Sequence, residues 1–445
     1  MFRLNGRAFA LAVLFALPSA GAAQKEPPDT KELKDAQKFL GLAMMQSAPE
    51  KKKPLYEQAM TPLKLAMAKN PENAKVWLYA GQVYVGLSDF LGADSAFKKA
   101  EALHPAYAED IAGEREVAWV EAFNAGIQAM DQNADEAIKQ LELAELMYPH
   151  RPEAKMNLGA LYAQKNQSEK AVQAFEGAIA STNGPLKEKL KPEDQANWKR
   201  YDDMAKMNIA QIRGAEGVEE FNAQRWEAAA AKFQQAAQVN PYARDYWFNL
   251  GQAYYAQVGG LEEKRDSLLA AETALKKVKG KEAEAKVKAD EAAKLSAQML
   301  PLYAKIIELF EKTMQLDPAN QTSYDLIGRS QKLTGDLAAD AAQKTQWQNK
   351  ALATFQAREA LPFEVEGLTA VAQENQATIK GTVKALKAAP GSPIKFRITL
   401  LGIDGSTVGQ QEVTVAAPAT GQTAPFEAKA AVTGEVAGWK YEVLK

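Results

Sequence analysis

The chain has 445 residues, enough for more than one domain, and its 47% hydrophobic and 25% charged content is that of ordinary globular protein. A formal net charge of -2 leaves no basic excess to neutralise phosphates, which argues against nucleic acid as a partner. The absence of cysteine excludes disulfides, thiolate metal sites, thiol nucleophiles and a lipidated lipobox, so apolar packing alone must hold any exported form together.

Arg3 and Arg7 precede an unbroken apolar run from Ala8 to Leu17, closed by Pro18 and the small residues Ser19 to Ala23. This pattern predicts a bacterial signal peptide over 1–23, cleaved after Ala22 or Ala23, and a periplasmic or secreted mature chain. The run is short for an uncleaved anchor, and no later segment is long and apolar enough to span a membrane.

One spacing then recurs. Gly81 is followed by Ala93, Phe97 and Ala100; Gly159 by Ala171, Phe175 and Ala178; Gly217 by Ala229, Phe233 and Ala236. Pro105 and Pro241 close the first and third sets at matching positions. A small residue is needed where a second helix crosses closely, an aromatic fills the space between crossings, and proline ends the pair. The segments Trp77-Leu78-Tyr79-Ala80-Gly81 with Tyr84, and Trp247-Phe248-Asn249-Leu250-Gly251 with Tyr254, resemble the first helix of the tetratricopeptide repeat. Met156-Asn157-Leu158-Gly159 with Tyr162 repeats the pattern without the tryptophan. Weaker units open at Ala122 to Gly126 and at Tyr324 to Gly328, and a degenerate first pair spans Lys31 to Asn70.

Two stretches depart from the period. A polar loop from Gly184 to Asn197 precedes a long helix expected from about Asn197. After Tyr255 the chain inserts Val258 to Leu300 before Leu302 to Leu316 supplies the missing second helix. Leu261, Leu268 and Leu275 stand seven apart, a coiled-coil spacing broken at Lys279-Gly280-Lys281. The insert is either an antiparallel helical hairpin or a solvated charged helix without a partner.

Beyond Pro362 the period becomes two. Ile394, Phe396, Ile398 and Leu400 alternate with polar residues, and Asp404-Gly405 signals a hairpin turn. Thr378 to Leu386, Val413 with Val415, Phe426 to Val432 and Trp439 to Val443 read as further strands, with Gly381 marking a bulge or a close approach. The strand spacing is similar to the small immunoglobulin-like modules of bacterial envelope proteins. The expected fold is mainly α: a TPR-like α-solenoid of helix pairs over 24–362 carrying a charged helical hairpin at 258–300, followed by a small all-β sandwich over 363–445.

Catalytic motifs are missing from this reading. His104 and His150 each stand beside a repeat-ending proline, where a helix C-terminal role accounts for them better than a metal or base pair. Gly259-Gly260 lacks the lysine and strand of a phosphate loop. The methionines and tryptophans on helical faces fit core packing. The repeat resemblance implies a scaffold, not an enzyme, with no cofactor or metal, binding proteins or peptides of the cell envelope on its concave face. Carried onto this sequence, the family's groove positions are Leu78, Gln82, Phe123, Ile127, Met156, Asn157, Phe248, Asn249, Gln252, Tyr255, Asp325 and Arg329. That lining suits an amphipathic helix or an apolar extended peptide. The alternative is an oligomerisation module that pairs with a second copy through residues 261–300; a hydrolase with an unrecognised carboxylate pair ranks below both.

Overall fold

The computed structural model describes residues 27–444, so the leader expected over 1–23 lies outside the described residues. Four antiparallel helix pairs come first: α1 (Lys31–Met44) with α2 (Pro49–Lys69), α3 (Ala74–Gly86) with α4 (Phe90–Leu103), α5 (Ala108–Ala129) with α6 (Ala134–Met147), and α7 (Pro152–Gln164) with α8 (Ser168–Thr182). Then follow α9 (Pro192–Asn222), α10 (Trp226–Val239), α11 (Arg244–Leu275), α12 (Glu282–Leu316), α13 (Gln321–Leu337) and α14 (Ala341–Glu359). The chain divides into two compact units, one ending at Tyr201 and the other beginning at Asp202 within α9.

The same contact closes every pair from α3 onward. Gly81 lies against the ring of Phe97, and a Cβ at Gly159 or at Gly217 would stand 2.6 Å from the ring of Phe175 or Phe233. Gly126 meets Leu141, Gly251 meets Phe310 and Gly328 meets Phe355 in the same way. The glycine lets the second helix approach within the radius of an aromatic ring.

Two smaller devices recur with it. Seven residues after the glycine, Ser88, Asn166 and Gln224 adopt left-handed φ of 56°, 57° and 58°, which turns the chain out of the first helix. Four residues before the glycine, in the first turn of the helix, a side chain reaches back to a proline carbonyl. Trp77 Nε1 donates to Pro71 O (2.7 Å), Lys155 Nζ to Pro149 O (2.6 Å), Trp247 Nε1 to Pro241 O (2.8 Å) and Tyr324 Oη to Pro318 O (3.3 Å). Asparagine caps open α3, α6 and α13, where Asn73, Asn133 and Asn320 accept from Lys75, Glu136 and Ser323 backbone N–H groups.

The insertion differs from the expectation at both of its ends. α11 runs without a break through Gly259 and Gly260, and α12 through Pro301, so the hairpin is an elongation of one helix pair rather than a separate element. Glycine costs a helix about 1 kcal/mol, which a helix of 32 residues tolerates. Leu261, Leu268 and Leu275 are half-buried, and Ala285, Ala292 and Met299 on the facing helix are buried at the same seven-residue interval. Likewise α9 begins at Pro192, earlier than the expected Asn197, because proline is compatible with the first helical turn.

The C-terminal region forms two antiparallel three-stranded sheets. One has the order β1 (Phe363–Gln373), β2 (Gln376–Ala385), β5 (Thr423–Ala431), and the other β4 (Thr407–Ala416), β3 (Pro393–Leu401), β6 (Gly438–Val443). Phe363, Ile379, Val383, Phe396, Ile398 and Leu400 fill the space between them. Gly405 turns β3 into β4 at φ 80°. Gly381 is a close approach to Phe426, and the bulge lies instead on β1 between Glu366 and Thr369, at Gly367.

The sandwich rests on the turns that follow α10 and α12. Asp317, the residue after α12, is 2% exposed and accepts from Tyr441 Oη (2.8 Å), Arg244 Nη2 (3.1 Å) and Asn320 Nδ2 (3.3 Å). The Ala319 N–H donates to the same Tyr441 oxygen at 3.1 Å, and Ala319 belongs to the sandwich core. Asn240, after α10, donates to Ala437 O (2.7 Å), and Gln321 Nε2 donates to Glu364 (2.8 Å). Burial pushes the Asp317 carboxyl above its usual range, against the pull of Arg244 and its hydrogen-bond donors.

Gly159→Val is expected to destabilise the first unit by about 1–3 kcal/mol through overpacking against Phe175, read as a lower denaturant midpoint. Tyr441→Phe removes the donor to Asp317 and the acceptor of Ala319, and is expected to cost about 1–3 kcal/mol in the second unit, measured in the same way.

Candidate functional site

The twelve residues expected to line a binding face separate by exposure. In the first unit Leu78, Phe123, Met156 and Asn157 are 8%, 1%, 0% and 1% exposed and so offer a partner almost no surface. Phe123 stacks on Trp119 one turn earlier on α5 at 4.7 Å and 8°, and Asn157 Nδ2 donates to Glu153 O one turn earlier on α7 at 2.9 Å. Gln82 is half-buried and donates to Glu114 at 2.8 Å; Ile127 is half-buried beside it in sequence register on α5.

In the second unit Phe248, Asn249, Gln252 and Tyr255 are all half-buried along α11. The Arg244 guanidinium lies 4.4 Å from the Phe248 ring centre, and that of Arg329 lies 5.4 Å from the Tyr255 ring. Arg329 also pairs with Glu262 at 3.3 Å, and Asp325 with Arg358 at 3.1 Å. Arginines thus lie against two rings of a face expected to be mostly apolar, with Arg329 its one cation. The carried-over positions fall on α11 and α13, but Arg244 enters from the helix start and its role depends on Asp317, 73 residues away.

Exposed apolar residues of the first unit include Leu65 and Leu91, and on α5 two of them share one face with acidic residues. Val117 is 59% and Val120 41% exposed. Asp110, Gly113, Glu121 and Asn124 are exposed with them at intervals of three and four residues, one side of the helix. Glu114 lies between, its carboxyl pushed up by burial and by Asp110. Residues 101–160 contain twelve Asp and Glu against four Lys and Arg, a local charge of -8 in a chain of -2. α5 has 22 residues where α3 and α7 have 13, and the exposed valines fall in or beside this added N-terminal length. The sequence signals were there, in two valines off the repeat register and the run of acids, but they become a surface only once the helix length is known.

The titratable groups of the first unit concentrate at the start of α7. Arg151 pairs with Glu153 (2.9 Å) and Glu116 (3.4 Å) and lies 4.5 Å from the Trp119 ring. Burial pushes the Tyr201 hydroxyl up to about 12, with Glu153 adding to the shift. Glu145 pairs with Lys155, yet burial pushes its carboxyl up to about 7, and its Oε1 lacks a hydrogen-bond partner. His104 is buried and meets the Tyr107 ring at 4.4 Å with a tilt of 60°, while His150 meets Tyr148 edge-on at 5.4 Å. Among the described residues no group of three or more His, Asp or Glu is placed to hold a metal ion. A further depression of about 450 Å3 lies among α12, α13 and α14, lined by Met314, Tyr324, Ile327 and Gln331 with Glu311 at its margin.

Stacked antiparallel helix pairs with exposed first-helix faces and an attached sandwich define a repeat scaffold. Residues 131–185 and 215–276 match the family model of the tetratricopeptide repeat. The chain therefore carries tetratricopeptide repeats over these segments, the glycine–aromatic contact continues through the neighbouring pairs, and repeats of this kind generally serve protein interaction. A search of curated proteins gives no match. Among solved structures the chain is similar to MamA (14% identity, covering 55% of this chain and 91% of that one, TM-score 0.25). It is also similar to yeast Tom70 (14%, 77% and 67%, TM-score 0.20) and to a tetratricopeptide repeat protein from Parabacteroides merdae (12%, 72% and 99%, TM-score 0.19). At these TM-scores the assignment rests on the matched segments and the repeat geometry.

An acid whose pKa is raised by folding holds its proton more tightly in the folded chain, so its contribution favours folding at low pH and is lost as pH rises from about 4.5 to about 7. Melting wild type and Glu145→Gln between pH 4 and pH 8 is expected to show the difference moving toward the variant by about 3 kcal/mol across that window. Parallel curves would show that folding leaves the Glu145 carboxyl unshifted.

Proposed function

We propose that the chain is an exported scaffold that holds a protein of the cell envelope against the open face of α5. The leader-like residues 1–23 support export. The observation that carries the binding assignment is the exposure of Val117 and Val120 on one side of α5, within a stretch of local charge -8. Apolar contact supplies affinity there, and the surrounding carboxylates select and steer a positively charged partner. The occupant is a basic amphipathic segment, helical or extended, with apolar residues spaced to meet the two valines.

The face of α11 is a weaker candidate, because Phe248 and Tyr255 are already stacked by the chain's own cations. Self-pairing through the hairpin leucines has less support as well, since Leu261, Leu268 and Leu275 lie at the spacing of the buried Ala285, Ala292 and Met299 opposite them.

Envelope extract passed over the tagged chain is expected to yield a basic partner whose recovery falls at least tenfold with Val117→Asp and Val120→Asp together, the loss of a central contact pair. Equal recovery on the variant would remove α5 as the site, and finding the chain in the cytoplasmic fraction would remove the exported role.

A further inference from the structure

The far end of the hairpin carries a surface that neither the repeats nor the sandwich uses. From Val258 to Leu275 the first leg rises about 27 Å at 1.5 Å per residue. The apolar cluster at the base of the hairpin reaches Leu261 and Met299, and beyond it only the leucine and alanine positions of the seam continue toward the tip. Between residues 276 and 288 six lysines stand against two glutamates, with no arginine and no aspartate. The same triplet occurs twice, as Lys277-Val278-Lys279 in the connecting turn and as Lys286-Val287-Lys288 on α12, and the two valines are 52% and 53% exposed.

Some of this charge is answered locally. Lys276 pairs with Glu272, Lys281 with Glu284 and Lys288 with Glu291. Lys277, Lys279 and Lys286 are exposed and form no ion pair among the described residues. The unpaired charges therefore flank the exposed valine of the turn on both sides and that of α12 on one.

We propose that this tip is a docking surface for an anionic phospholipid bilayer. Lysine ammonium groups on flexible stems suit a fluid, diffuse array of phosphates, whereas a shaped carboxylate or phosphate pocket calls for the planar fork of arginine, which the tip lacks. The valines are placed to enter the boundary between headgroups and acyl chains while the lysines remain at headgroup level. Six lysines and two small apolar side chains give reversible, salt-sensitive association, not insertion. Among the described residues no helix is long and apolar enough to cross a membrane. This surface is independent of the α5 face.

The test uses the chain without residues 1–23 and vesicles of phosphatidylcholine with or without about 30% phosphatidylglycerol. Sedimentation with the anionic vesicles is expected at low salt, with little on the neutral ones. Lys277→Gln with Lys286→Gln is expected to weaken the association about 25-fold, at about five-fold per lysine. Val278→Ser with Val287→Ser is expected to weaken it by a smaller factor that salt does not change. Circular dichroism checks that these exposed changes leave the helices intact. Equal sedimentation of wild type and the lysine variant, equal binding to neutral vesicles, or no binding to anionic vesicles would each overturn the proposal. So would light scattering that finds a dimer abolished by the lysine changes, which would assign the tip to a second copy of the chain.

Discussion

A missing side chain sets the geometry of the helical region. At Gly81, Gly159, Gly217, Gly251 and Gly328 the absence of a Cβ lets a phenylalanine ring from the second helix of the pair lie against the backbone of the first. The crossing distance is thereby fixed by the thickness of a ring, and so is the position of every residue on the two outer faces. The partner ring comes sixteen residues after the glycine in the first three cases but 59 after Gly251, because 43 residues of hairpin intervene. The contact survives this interruption unchanged, so the insertion extends a helix pair without disturbing how it packs.

Around that contact the repeat conserves physical roles more strictly than residue types. The donor that reaches back to a proline carbonyl is indole, ammonium, indole and phenol in turn. The left-handed residue seven positions after the glycine is serine, asparagine or glutamine. The Asp317 joint is a different kind of constraint: a buried carboxylate held by Arg244, Asn320 and Tyr441 from three separate stretches of chain. Removing any one partner leaves a buried charge underserved, so the joint depends on all three being present together.

The helix pairs were legible because glycine, alanine and phenylalanine recur at fixed offsets, and strand β3 because apolar and polar residues alternate through it. β1 was not read as a strand, since its bulge at Gly367 shifts Leu368 out of alternation with Phe363 and Val365. The unbroken passage of α11 through Gly259-Gly260 and of α12 through Pro301 was hidden by residues that usually punctuate helices; here each helix packs along the other and sustains it. Site residues were the least legible. Whether Phe123 or Val117 faces outward depends on what packs over α5, and no local pattern carries that information. The joint joins positions 124 residues apart, beyond any periodicity.

The hairpin seam repeats every seven residues on both legs, with Leu261, Leu268 and Leu275 opposite Met299, Ala292 and Ala285. Its length is therefore quantised. Adding or removing seven residues on each leg preserves which side chains meet and moves the tip by about 10 Å. Any other increment rotates one leg against the other and exposes the leucines. The projection behaves as a ruler graduated in heptads, and its reach can change between related chains without redesign of the pair from which it grows.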